Sequence, residues 1–385
     1  MDFDLDAEHI AFRKAIVVFA KAELNEGAKA RDAKAVFHRG GWEKCGSFGL
    51  LGLAVPKEFG GCGADPLTMV VAMEALGFGC QDNGFVFAVA NHTLSCVIPI
   101  VKFGSAEQKA RYLPGLASGQ LVGAHAMTEP NAGSDTARVR CTAARDGDCF
   151  ILRGEKTFIT NAPIGDVFVA FAKTSEDRGA RNLSAFIVER STPGLNVGAE
   201  FSKMGLRSAP MSELVFDDCR IPAENLLGAE GNGMMVFNAA AEAERCYLSA
   251  ANLGAMKRQL DQTVAFIHAR DRSGRPLSQH QALTHRLASI KVEMEMAELM
   301  LRKVGWLRSK GRPTFFESAA VKLFTSECYV KASLAALQIH GAYGYMTDSG
   351  IECQMRDSIA STIYAGTSDI QREIVSSWLG LNSVA

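Results

Sequence analysis

The hydrophobic period of this 385-residue chain changes twice, and that double change limits the fold more than any single motif. From Phe3 to about Gly119 the apolar residues recur at mixed spacings of three and four, as Phe3, Leu5, Ile10, Phe12, Ile16, Val17 and Phe19 do, which is the pattern of one helix face. Asp65-Pro66 places an N-cap before a proline ahead of residues 67–76, and Ser105-Ala106-Glu107-Gln108 reads as a capping box. From about Gln120 the period drops to two. Short β-branched or aromatic runs at 150–152, 157–160, 167–172, 183–188 and 213–216 are separated by Gly, Pro, Asn and Asp. Long helical patterns return at about 234–270, 278–310 and 314–340. The expected class is α+β, with an N-terminal helical domain at 1–119, a middle β domain at 120–233 and a C-terminal helical bundle at 234–385. Strands and helices do not alternate, as they would in a doubly wound nucleotide-binding fold.

Composition removes several functions. A net charge of -1 and a pI near 6.7 supply no field for nucleic acid or anionic lipid. The start, Met1 to Asp6, is acidic where a signal peptide is basic, and no run of about 18 apolar residues is apparent, so no membrane span is expected and the default address is cytoplasmic. The ten cysteines form no C-x-x-C pair, His280 and His285 are five apart, and no H-E-x-x-H occurs, so no metal site is expected. With neither a P-loop nor a complete G-x-G-x-x-G, a nucleotide cofactor has to be held in another way.

Three stretches carry chemistry. Ala126-Met127-Thr128-Glu129-Pro130-Asn131-Ala132-Gly133-Ser134-Asp135 opens the β region; Gly133-Ser134 permits close backbone approach to a flat or phosphorylated ligand, and Thr128 offers a hydroxyl and an N–H. Gln338-Ile339-His340-Gly341-Ala342-Tyr343-Gly344-Tyr345, followed by Met355-Arg356-Asp357, reads by itself as a helix C-cap with a glycine turn. Ile363-Tyr364-Ala365-Gly366-Thr367-Ser368-Asp369-Ile370-Gln371-Arg372 is a tight turn entering a helix, suited to gripping a polar ligand with exposed N–H groups. Any one of these alone is more often an ordinary turn. Together with Val55-Pro56-Lys57-Glu58-Phe59-Gly60-Gly61, Lys156-Thr157-Phe158-Ile159-Thr160-Asn161 and Lys203-Met204-Gly205-Leu206-Arg207, they resemble the acyl-CoA dehydrogenase family over essentially the whole chain, in order.

That resemblance implies FAD and the removal of hydrogen from C2 and C3 of an acyl thioester. Met127, Thr128, Phe158 and Thr160 would hold the isoalloxazine, with the Thr160 hydroxyl near N5, while Gly133 and Ser134 would meet the diphosphate. Arg270, Gln281, Gln338 and Gly341 would reach FAD from a neighbouring subunit of a homotetramer, and Thr367 and Asp369 would close over the site. Ser134, Arg245, Tyr364 and Gly366 would face the substrate. Two positions depart from the family: Ser273 stands where Phe is usual, and Arg138 follows the first signature.

In many members of the family the residue before Gly-Thr in the last stretch is the catalytic glutamate; here it is Ala365. Taking a proton alpha to a thioester requires a carboxylate. In a minority of members it stands instead on the long helix after the β domain, just before an Arg, and Ala241-Glu242-Ala243-Glu244-Arg245 places Glu244 there. Periodicity points the same way. At 100° per residue Glu244 shares its face with Phe237, Ala240, Ala241, Leu248, Ala251 and Ala255, while Glu242 faces nearly opposite, beside Asn238 and Ser249. A carboxylate alone on that face would be partly desolvated, which suits a general base, although an arbitrary Glu-Arg is more often a surface pair. Ala365 keeps a role through its backbone N–H, which in the family donates to the thioester oxygen.

The segments 74–85 and 160–166 look more like members acting on acyl or aminoacyl groups tethered to carrier proteins, such as the prolyl-carrier-protein dehydrogenases of secondary metabolism, than like enzymes of fatty or branched-chain acyl-CoA catabolism. Both carriers present a phosphopantetheine thioester. Electron-transfer flavoprotein or oxygen is the expected acceptor. The competing readings are a catalytically silent flavin-binding scaffold, against which Glu244 argues, and a flavin monooxygenase on the same fold, which needs no alpha-carbon base.

Overall fold

The computed structural model describes residues 4–175 and 181–381; Phe3, where the helical pattern is expected to begin, lies outside them. The first block is helical: α1 (Ala7–Glu23), α2 (Ala28–Lys34), α3 (Arg39–Phe48), α4 (Pro66–Gly79), α5 (Asn83–Asn91), α6 (Ile98–Phe103) and α7 (Ala106–Ser118). The caps fall where the sequence puts them. Asp65 accepts from the N–H groups of Leu67 and Thr68 at 2.8 and 3.1 Å, and Ser105 and Gln108 form the reciprocal box.

A π-helical turn, His92–Val97, joins α5 to α6. Asn83–Phe103 is therefore one apolar helical stretch of 21 residues with mean hydropathy 1.7. This corrects the expectation that nothing here is long and apolar enough to span a bilayer. The reason for its composition lies inside the fold: 89% of its most apolar window is buried against the rest of the protein.

The middle block is an eight-stranded sheet built from β1 (Gly123–Ala126), β2 (Thr142–Asp146), β3 (Cys149–Thr160), β4 (Val167–Lys173), β5 (Leu183–Glu189), β6 (Leu195–Val197), β7 (Met211–Pro222) and β8 (Leu226–Leu227). Its order is β6-β7-β3-β2-β4-β5-β8, with β1 parallel to β4. The runs 150–152 and 157–160, read from the sequence as separate strands, lie on the single twelve-residue β3. Its register against β7 shifts between Leu152 and Gly154 and again between Lys156 and Ile159, so the intervening residues bulge the strand without ending it. The second shift puts Phe158 in left-handed backbone (φ 58°) with its ring 63% exposed.

The third block contains α8 (Gly233–Ala269), a hairpin of β9 (Asp271–Arg272) and β10 (Arg275–Pro276), then α9 (Gln281–Ser309), α10 (Phe315–His340), α11 (Ala342–Tyr345), α12 (Ile351–Ala360) and α13 (Ser368–Trp378). Ser273 and Gly274 form the hairpin turn, both at positive φ (54° and 75°). The spine of the molecule is α8, which packs on α4, α5, α9 and α10. Its approach to α4 requires glycine on both sides: a Cβ at Gly77 or Gly254 would lie 2.0 Å from the backbone oxygen of Ala251 or Glu74.

Candidate active site

The turn of α8 carrying the two glutamates is enclosed on both sides, so the hydrophobic face alone does not separate them. Ala243, Arg245, Ser249 and Leu248 are all buried, and Ser249, expected on a polar face, is 2% exposed. Their partners separate them. Glu242 accepts from both the N–H and the hydroxyl of Thr314, capping α10, and lies 3.4 Å from Arg308. Glu244 points to the opposite neighbour and accepts from the Ser95 hydroxyl, on the π-helical turn. It is thus not the lone carboxylate that periodicity suggests. His125 on β1 bonds the Ser95 carbonyl through Nδ1 at 3.0 Å; burial holds its ring below the usual value while the charge of Glu244 pulls the other way. Arg245, expected at the substrate, lies beneath Phe315, its guanidinium 5.5 Å from that ring.

The loop after α12 is held by its carbonyls. Ala365 is in left-handed backbone (φ 53°), followed by Gly366 (φ 87°), where a Cβ would lie 2.6 Å from Gln371 Nε2. The Gln371 amide donates to the oxygens of Ala365 and Gly366 at 3.1 and 2.9 Å, and Lys322 Nζ donates to Gly366 O at 2.6 Å. Burial, then the neighbouring Arg245, brings the Lys322 ammonium down to about 8. Lys322 thereby stands between the loop and the helix turn that bears Glu244. With both carbonyls engaged, the Ala365 N–H has no acceptor among the described residues. Thr367 caps α13 through the Ile370 N–H at 3.3 Å, whereas Asp369 is exposed beside Arg372.

Tyr364 turns inward from this loop, its hydroxyl exchanging hydrogen bonds with the Asn252 amide at 2.9 and 3.0 Å and its ring 4.8 Å from that of Phe87. Asn252 lies two turns beyond Glu244, about 12 Å along the axis of α8. Between them Leu248, Ala251 and Ala255 line a cavity of about 20 Å³, with Phe87 and Tyr364 opposite and Asn83, Tyr329 and Asp357 at its polar end. That is room for about one water. Asn83 donates to Asp357 at 3.0 Å and accepts from Arg258 at 2.9 Å; burial pushes the Asp357 carboxyl up to about 6. Asp32, Cys353 and Asp357 bring possible ligand atoms within 4.8 Å of one another, but Asp32 is paired with Arg356, and Asp357 accepts from the Leu206 N–H at 2.6 Å.

A second surface gathers around β3. The buried Lys156 donates to Met127 O at 3.1 Å and to Glu129 at 2.8 Å, and the Thr157 N–H donates to Thr128 O at 2.9 Å. Burial opposes the Glu129 charge, but Lys156 and the N–H groups of Arg140 and Cys141 outweigh it and hold that carboxyl below its usual range. These bonds set Met127 and Thr128 beside Phe158 and Thr160. The Thr128 N–H and the Thr160 hydroxyl have no partner among the described residues, and Gly133 and Ser134 are exposed. Strained aromatic backbone, an open ring face and unused donors fit a planar ligand with polar edges.

Arg270, Gln338 and Gly341 gather elsewhere, at the far ends of α8 and α10. Arg270 lies 4.3 Å over the Tyr343 ring, Arg286 donates to Gln338 at 2.8 Å, and Gly341 has φ 58° with open space where a Cβ would point. Gln281 starts α9. The structure does not bring these four to the Thr128–Thr160 surface of the same chain by any hydrogen bond among the described residues.

Sequence reasoning missed Ser95, His125, Asn252 and Lys322. Lys322 had a visible signal, a single charge inside the apolar run 319–324; Ser95 sits in an apolar run with nothing in the sequence to connect it to residue 244.

Residues 6–120, 124–219 and 231–380 match the N-terminal, middle and C-terminal domain families of acyl-CoA dehydrogenase. An L-prolyl-[peptidyl-carrier protein] dehydrogenase of Pseudomonas fluorescens is 45% identical over 341 residues, 88% of this chain and 90% of that protein. Among solved structures, the prolyl acyl carrier protein oxidase AnaB superposes with a TM-score of 0.96 at 39% identity, covering 98% of this chain and all of that one. PigA with FAD and proline gives 0.97 at 37% identity, covering 99% and 100%.

Proposed function

The chain belongs to the acyl-CoA dehydrogenase family of FAD-dependent enzymes, and from that premise we propose that it desaturates a small aminoacyl thioester, a prolyl group on a carrier protein, with Glu244 as base. The observation that carries this reading is the position of Glu244: on the spine helix, one turn before the cavity that Tyr364 closes, in a chain whose terminal loop has Ala365 where many relatives have their carboxylate.

Bound FAD supplies the hydride acceptor for the beta carbon. The residues that would hold it are Met127, Thr128, Phe158 and Thr160 at the ring and Gly133 and Ser134 at the diphosphate; the unused Thr128 and Thr160 donors support this. Glu244 takes the alpha proton. The Ala365 N–H, aimed outward by the clamped carbonyls on either side of Gly366, donates to the thioester oxygen and stabilises the charge that develops there. Thr367 and Asp369 close the flavin side. Arg270, Gln281, Gln338 and Gly341, separated from the ring surface of their own chain, serve the FAD of a neighbouring subunit in a homotetramer.

A cavity that holds about one water and is closed by the Asn252–Tyr364 pair supports a compact ring over an alkyl chain, and its polar end supports a substrate bearing nitrogen. Phosphopantetheine is common to both carriers, and the likeness to prolyl-carrier enzymes supports the carrier protein. The test is anaerobic: mix FAD-loaded protein with prolyl-carrier thioester and with butyryl-CoA, and follow flavin absorbance. Bleaching by the prolyl thioester that is lost in Glu244→Gln is expected. Faster bleaching by butyryl-CoA overturns the substrate, and no bleaching by any thioester overturns the reaction.

A further inference from the structure

We propose that Ser95 is a positioning residue for the base: it holds Oε1 of Glu244 and so presents Oε2 to the substrate. The inference rests on Glu244 being that base. The Ser95 hydroxyl donates to Glu244 Oε1 from the π-helical turn between α5 and α6, and Ser95 itself is 0% exposed, so the bond forms away from water. Among the described residues nothing else hydrogen-bonds to the Glu244 carboxylate, which leaves Oε2 unengaged.

The irregular turn aims the hydroxyl. An i to i+5 turn widens the helix by one residue and rotates the side chains on its C-terminal side. It also leaves the Ser95 carbonyl to accept from His125 Nδ1 at 3.0 Å, which fixes the ring proton on that nitrogen. Asn91 reaches the Ser95 oxygen at 3.5 Å. Ser95 is therefore held through its carbonyl by β1 and through its hydroxyl by α8. The charged or titratable groups facing Glu244 are His125 from β1 and Arg245 on α8 itself.

A hydroxyl suits a base whose charge changes in every turnover. It donates to the carboxylate, and it rotates to offer a lone pair once the carboxyl carries a proton. An alanine there gives neither, and an ionised carboxylate that loses its only donor is protonated more readily.

The experiment measures the anaerobic rate of flavin bleaching by prolyl-carrier thioester against pH for FAD-loaded wild type, Ser95→Ala, Ser95→Cys, Ser95→Thr and Glu244→Gln. In Ser95→Ala the acid limb is expected to move up by about one pH unit, so that the rate falls about tenfold on the acid side and stays within about twofold on the alkaline plateau. Ser95→Thr restores the wild-type limb, and Ser95→Cys, keeping size with a weaker donor, lies between. An unmoved limb in Ser95→Ala and Ser95→Cys, or an equal loss at every pH, overturns the proposal. Bleaching that survives in Glu244→Gln overturns the base instead; an inactive Glu244→Gln beside an unmoved Ser95→Ala overturns only Ser95.

Discussion

The α8 turn at residue 244 and the loop at residue 365 present one polar group each, by opposite means. The helix offers a side chain on rigid backbone, steadied by one hydroxyl from a neighbouring helix. The loop offers a backbone N–H, and its steadiness comes from Lys322 and Gln371 gripping the carbonyls on either side. A carboxylate can be supplied by any rigid element that reaches the same space. An N–H depends on local φ and ψ, so the loop keeps its shape, with Ala365 at φ 53°, even without an acidic side chain.

Glu244→Gln breaks the comparison on the helix side. It should slow flavin reduction by roughly a thousandfold while leaving flavin content unchanged, the usual scale for losing a general base. Retained activity would mean that the helix contributes no chemistry.

Lys322→Met breaks it on the loop side. With Gly366 O released from its cationic donor, bleaching should slow by roughly tenfold or more, since the Ala365 N–H is then poorly fixed. The pH dependence sharpens this. Lys322 titrates near 8 in the fold against an ordinary 10.5, so the ammonium is present below 8 and lost above it. The wild-type rate should decline as pH rises through about 8, and Lys322→Met should lack that decline. Stability moves the other way: the penalty for the buried charge is full below 8 and relieved between 8 and 10.5, so this group makes the fold more stable as pH rises, which melting curves across that window would reveal.

Glu242→Ala tests whether the neighbouring carboxylate is purely architectural. Losing the cap on Thr314 and the contact with Arg308 should cost about 2 kcal/mol of stability, read by denaturant unfolding, with bleaching per folded molecule within about twofold of wild type. The smallest effect is expected at Asn252→Ala. Opening the cavity floor should change prolyl turnover by only a few-fold while making longer acyl thioesters better competitors, measured as a ratio of kcat/KM values.

The sequence by itself determined the order of blocks, the caps at Asp65 and Ser105 and the family, because hydrophobic period, cap chemistry and contiguous motifs are local properties that survive without a third dimension. It also brought forward Glu244, though partly for a reason the fold does not use: the face opposite is not solvated, and Ser249 is buried there. Only the tertiary structure decided that Glu242 caps α10 while Glu244 meets Ser95, that two strand-like runs share β3, and that an apolar stretch of 21 residues is enclosed by protein. The physical reason is separation along the chain. Ser95 and Glu244 are 149 positions apart, Lys322 and Gly366 are 44, and no periodicity of two or 3.6 residues carries information over such distances; packing against α8 does.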